Sequence, residues 1–131
     1  MQKWMRLAGE GNSQMSRSMI DLDELMARVE NDRDLMRDLM LIFKEEFPRH
    51  AEALRGAVAS QDASGVVAAA HTLKGMLSNM AAAEAAAAAA CLERLGRDGE
   101  ITKLGESLAQ FEKIADELTQ QIDLCLAEVS A

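Results

Sequence analysis

Leu104, Leu108, Phe111, Ala115, Leu118, Ile122, Cys125 and Val129 recur at alternating spacings of four and three residues. With 3.6 residues per helical turn, that spacing draws one continuous apolar seam along about seven turns. A helix this long must bury its seam against neighbours, and composition indicates what they are. The chain has one proline, no tyrosine and 3% aromatics, yet 49% of its residues are hydrophobic. Strands favour β-branched and aromatic side chains joined by turns rich in Gly and Pro. Ala, Leu, Met, Glu and Arg, with which this chain is stocked, are strong helix formers. A β-sandwich or barrel does not fit, and an all-α fold is expected. A single domain of this size buries roughly two-thirds of the surface its unfolded chain exposes, so it needs neither disulfide nor metal to fold.

Punctuation divides the chain. Residues 1–19, with Gly9, Gly11, Asn12, Ser13, Ser16 and Ser18 and no sustained apolar period, read as a tail or the end of a linker, and residues 20–131 as the domain. Asp21 or Asp23 caps a short helix to about Val29, and Asn31-Asp32 marks a break and a second N-cap. A long helix follows, with Leu35, Leu39, Ile42, Phe43 and Phe47 at helical spacing and Leu54 and Val58 continuing the stripe past Pro48, where a kink is expected rather than an end. Ser60-Gln61-Asp62 is the next break, with Asp62 capping a helix from about Ala63 to Met80 that Asn79 helps to end. Ala81 to Ala90 is alanine at every position but Glu84 and runs into Cys91, Leu92 and Leu95 before Gly96 and Gly99 stop it. Alanine has the best helix propensity and allows close helix approach, so this run reads as a packed helix. Four substantial helices with short connections make an antiparallel four-helix bundle the economical architecture, with the short additional N-terminal helix as a lid.

The formal net charge of -8 argues against a nucleic-acid partner or an anionic membrane surface, both of which reward a basic face. A protein or a small molecule is the expected partner. Cys91 and Cys125 stand far apart in apolar stretches and read as two reduced, buried thiols. No metal-ligand spacing exists, the start has no apolar signal-peptide core, and no apolar run approaches the roughly 18 residues that cross a bilayer. A cytoplasmic chain with no membrane association is expected.

Two histidines offer themselves for chemistry. His50 follows Pro48 and Arg49 with no recognisable partner group and reads as a surface residue. His71 differs. At about 100° per residue, Val66, Ala70, Leu73, Leu77 and Met80 cluster in one direction, which must face the core, and His71 points opposite. Ser64, Ala68, Lys74, Gly75 and Ser78 share its face and Val67 lies at the edge, so the imidazole stands among unusually small side chains. Gly75 is the telling choice, because a mid-helix glycine costs about 1 kcal/mol relative to alanine. Either a second molecule needs that space, or a neighbouring helix packs there. Lys74 places an ammonium where a negative group on the ring would be neutralised. An exposed imidazole, a cation and a missing side chain describe a nucleophile awaiting an anionic, bulky electrophile, and a neutral imidazole can take a phosphoryl group on nitrogen. The sequence has no Gly-rich phosphate loop, and the helix carries no second histidine or carboxylate at catalytic spacing. Phosphate, if it arrives, must be delivered by another protein.

At these residues the chain resembles the histidine-containing phosphotransfer (HPt) domains of two-component phosphorelays. The resemblance lies in Ala70-His71-Thr72-Leu73-Lys74-Gly75, then Asn79 and Ala82, then Cys91-Leu92-Glu93-Arg94-Leu95-Gly96-Arg97, and spans roughly Ile20 to Val129. Met76 stands where the family often has a small residue, and Ala81 where it often has glycine. The resemblance implies a relay and no enzyme: a receiver domain's phosphoaspartate donates to His71, which donates to an aspartate on another receiver. The receivers supply Mg²⁺ and the acidic pocket, Lys74 balances charge, and Gly75 admits the receiver's loops. Response-regulator receiver domains and a hybrid sensor histidine kinase are the implied partners of a monomeric domain that binds no cofactor of its own. The family implies that the distal ring nitrogen is modified. Ile20, Leu25, Met26, Leu39 and Phe43 are candidates for an apolar docking ring, although helical stripes of this kind more often belong to a core. Two other readings stay open: a scaffolding bundle that binds receivers without transfer, and the phosphoacceptor domain of a chemotaxis-type kinase.

Overall fold

The computed structural model describes residues 19–130; the expected tail over residues 1–18 and the side chain of Val129 lie outside the described residues. Among these described residues five α-helices run in chain order: α1 Leu22–Arg28, α2 Arg33–Ala59, α3 Ala63–Asn79, α4 Ala83–Arg97 and α5 Leu104–Ser130, with a 3₁₀ turn at Ile101–Lys103 leading into the last. Helices α2 to α5 form a closed bundle in which each packs on its sequence neighbour and α5 packs back on α2. The α2–α5 register shows in two exposed ion pairs, Lys44 Nζ to Asp123 Oδ1 at 2.7 Å and Arg55 Nη2 to Glu112 Oε2 at 2.8 Å. One helix advances as the other recedes, so the pair is antiparallel. Pairs this exposed add little stability.

The caps explain the helix starts. Asp21, Asp32 and Asp62 adopt extended backbone and their carboxylates accept the N–H of Glu24, Leu35 and Gly65, satisfying donors that a first helical turn leaves without partners. Helix α2 continues through Pro48. The alanine run divides: Ala81 and Ala82 form the turn, Ala81 with φ of 56°, and α4 begins at Ala83 without a side-chain cap. Gly96 does not stop that helix. It lies inside α4, where a methyl group would come within 3.1 Å of the Ala63 carbonyl oxygen and of Val67 Cγ2, and 3.2 Å of Val66 Cγ1. With Ala85, Ala86 and Ala89 buried along the same side, α3 and α4 approach closely.

The core follows α5's seam: Leu104, Phe111, Ala115, Leu118, Ile122 and Cys125 are buried and Leu108 is half-buried. On α2 the stripe is rotated from expectation. Met36, Met40, Phe43, Phe47 and Leu54 face inward, whereas Leu35 and Ile42 are 43% and 55% exposed. At 100° per residue, the direction that buries Phe43, Phe47 and Leu54 carries Met36 and Met40 with it and turns Leu35, Leu39 and Ile42 onto the flank. Stacked rings of Phe43 and Phe47, with centroids 4.9 Å apart, lead to Phe111 at 6.3 Å and join α2 to α5 through the core. Helix α1 covers one end of the bundle. The Asp21 N–H donates to the Ala81 carbonyl at 2.9 Å, the Arg28 guanidinium to the Ser78 carbonyl at 2.8 Å, and Leu22, Leu25 and Met26 are buried.

Candidate functional site

Val66, Ala70, Leu73 and Leu77 anchor α3 in the core at full burial, so the helix must turn its opposite side outward. His71 stands there with its side chain 66% exposed. Ser64, Ala68 and Ser78 beside it are exposed and Val67 is half-buried toward α4. A methyl group on Gly75 would meet nothing within 4 Å, so no neighbouring helix requires the glycine.

The ring is not isolated. Glu93, on α4, is only 3% exposed and places Oε2 3.0 Å from His71 Nδ1. Lys74 Nζ lies 2.9 Å from Glu93 Oε1, and Arg97 Nη2 donates to Oε2 at 2.8 Å. The close α3–α4 approach at Gly96 is what brings these residues together. The Lys74 ammonium lowers the Glu93 carboxyl to about 2 against the opposing effect of burial, helped by His71 and then Arg97. An ionised carboxylate only accepts, so Nδ1 carries a proton, and in the neutral tautomer the lone pair is on Nε2, across the ring.

Glu93 and Arg97 carried no assigned role in the sequence, since attention stayed on the histidine's own helix. A signal existed: at helical spacing Glu93 shares a face with Ala82, Ala86, Ala89 and Gly96, and a carboxylate among residues that small and apolar requires partners.

The docking ring needs correction. Ile20, Leu25 and Met26 are at most 4% exposed and belong to the core, whereas the half-buried Leu39 and the edge of the otherwise buried Phe43 reach the surface in a groove. That apolar groove runs between α2 and α3, lined by Leu39, Ile42, Phe43, Met76 and Met80, with Glu46, His50, Thr72 and Asn79 on its polar side. His50 is thus a half-buried groove residue rather than a plain surface one. His71 has the charged cluster on its α4 flank and this groove on its α2 flank, with the open position of Gly75 beside it. Of the two free cysteines, Cys125 is buried, which pushes its thiol up to about 11, while Cys91 is half-buried and accepts the Ser107 hydroxyl at 3.8 Å. Among the described residues no His, Cys, Asp or Glu cluster could hold a metal, and no helix is long and apolar enough to cross a membrane.

A helical bundle that turns one imidazole outward and backs it with a carboxylate has the build of a histidine phosphotransfer module. The model of the Hpt domain matches residues 38–130, so the chain belongs to the Hpt family, whose members carry phosphoryl groups between receiver domains and kinases of two-component phosphorelays. The chain is similar to histidine-containing phosphotransfer protein B (HptB) from Pseudomonas aeruginosa PAO1, whose crystal structure superposes with a TM-score of 0.74 at 26% identity, over 86% of this chain and 95% of that one. No curated protein matches the chain.

Proposed function

We propose that His71 is the phosphoacceptor, taking a phosphoryl group on Nε2 from the aspartyl phosphate of one receiver domain and passing it to an aspartate of another. The contact that carries this reading is His71 Nδ1 to Glu93 Oε2 at 3.0 Å, which leaves the nucleophilic lone pair on the exposed nitrogen. In the forward step the acyl O–P bond breaks as the Nε2–P bond forms, and the aspartate departs as a carboxylate. The receiver brings Mg²⁺ and the acidic pocket that hold the transferring oxygens. This chain supplies no ATP site and acts as a carrier.

Lys74, beside the ring, balances the phosphoryl charge, and the open space at Gly75 lets the receiver's loops reach Nε2. The groove formed by Leu39, Ile42 and Met76 gives the receiver an apolar footing next to the site. The domain works as a monomer, and its two free thiols suit the cytoplasm. Incubation with a phosphorylated receiver is expected to label the chain with an acid-labile, alkali-stable phosphoryl group that His71→Gln abolishes. Label retained in that variant overturns the assignment, and receiver binding without any transfer supports a scaffold instead.

A further inference from the structure

The chain's only tryptophan, Trp4, stands in Met1-Gln2-Lys3-Trp4-Met5-Arg6-Leu7-Ala8, where apolar side chains are mixed with two cations. Residues 1–18 lie outside the described part of the structure, but their charge is known. They carry Lys3, Arg6 and Arg17 against Glu10 alone, a net +2 in a chain of -8, so the rest of the chain stands at -10. A short apolar and basic segment is thus tethered to an acidic bundle.

The groove beside His71 has the complementary character. Leu39, Ile42, Met76 and Met80 line it, and at about 100° per residue the exposed Leu35 continues its α2 wall toward the start of that helix. Outside Ile42, the exposed Asp34, Asp38 and Glu45 share one stripe of α2, whereas Arg33 and Arg37 fall on the far side of the helix. Glu46, within the groove, is already paired with Arg49. The chain also arrives close by: the Asp21 N–H donates to the Ala81 carbonyl at 2.9 Å, and Met80, the residue before Ala81, lines the groove. From Leu39 to His50 the α2 wall is about 17 Å long at 1.5 Å per residue. Residues 9–18 span at most about 35 Å, and Gly9, Gly11, Asn12, Ser13, Ser16 and Ser18 give them the composition of a linker. Residues 1–8 are therefore within reach of the whole groove.

We propose that residues 1–8 of this chain dock in the α2–α3 groove, Trp4 against Ile42 and Met76 and the cations Lys3 and Arg6 toward Asp38 and Glu45, and so compete with a receiver for the surface beside His71. The competition rests on His71 as the acceptor and on the groove as the receiver's footing. Burial of one tryptophan removes about 150–250 Å² from water. A short linker holds the segment at an effective concentration on the order of millimolar. A contact too weak to join separate molecules is then enough to fill the groove for much of the time, and an incoming receiver must displace it.

The test uses the full chain, in which Trp4 is the one tryptophan and no tyrosine interferes. Its emission and its quenching by acrylamide are compared with those of Ile42→Asp, at a groove position 55% exposed and so outside the core, and of Lys3→Glu combined with Arg6→Glu. Docking predicts blue-shifted, protected emission in the unsubstituted chain and a move toward solvent values in both variants. Transfer from a phosphorylated receiver is expected to quicken about twofold or more in the Lys3→Glu/Arg6→Glu chain, which leaves the groove and His71 untouched. Solvent-like emission in the unsubstituted chain, or blue-shifted emission that both variants keep, overturns the proposal. Emission that changes on dilution places the segment on a second copy and overturns docking within one chain, and equal transfer rates overturn the competition. If the receiver fails to label the unsubstituted chain, the acceptor assignment falls, while the emission measurements still decide the docking.

Discussion

At the scale of single residues, two glycines on facing helices make opposite demands. At Gly75 a methyl group meets nothing within 4 Å, so Gly75→Ala should stabilise the fold by about 1 kcal/mol through helix propensity while slowing transfer from a receiver. Thermal unfolding and transfer kinetics on one preparation check both halves. At Gly96 the same methyl group would press on the Ala63 backbone oxygen at 3.1 Å, which cannot swing aside as a flexible side chain could. Gly96→Ala should destabilise by about 1–3 kcal/mol, read as a lower melting temperature. Glu93 adds a pH dependence. Its carboxyl falls from 4.5 to about 2 on folding, so its contribution is complete above about pH 4.5 and fades as pH drops toward 2. Acid titration of Glu93→Gln should show a shallower loss of stability through that window than the wild type does. The outward direction of His71 was legible from α3's periodicity, because the core side of that helix is unambiguous. Its partner was not, because the contact joins two helices and sequence spacing speaks only within one.

At the scale of elements, aspartates at 21, 32 and 62 marked the helix starts correctly, since a cap is a local interaction. The direction of α2 was harder to read. That helix carries more apolar residues than the core accepts, and Leu35, Leu39 and Ile42 compete with Met36 and Met40 until the neighbouring helices are in place. The turn between α3 and α4 is sharp without glycine: Ala81 adopts φ of 56°, a region that disfavours a Cβ. Ala81→Gly relieves that strain and gives back part of the gain as unfolded-state entropy, so denaturant titration should show a net stabilisation of up to about 1 kcal/mol. A decrease would mean that the burial of the Ala81 methyl group outweighs the backbone term.

Across the whole molecule, a buried amide on α5 adds to the Asp21 and Arg28 contacts that tie the N-terminal lid to the bundle. The Gln121 side-chain oxygen on α5 accepts the Met19 N–H at 2.7 Å and the Ile20 N–H at 3.1 Å. Gln121→Leu removes that acceptor from two buried donors and should cost about 1–3 kcal/mol, with faster amide exchange at residues 19–29 than elsewhere. The bundle itself followed from the α5 seam and the scarcity of proline and aromatics, whereas the groove beside His71 did not, because it exists only where the flanks of α2 and α3 meet. Gly96 packs on the buried side of α4, yet it sets how near that helix lies to α3, and Glu93 rides on α4 one turn away. The distance between Glu93 and the His71 ring is thereby geared to an interaxial spacing, and a change in the core can shift the surface pair from behind.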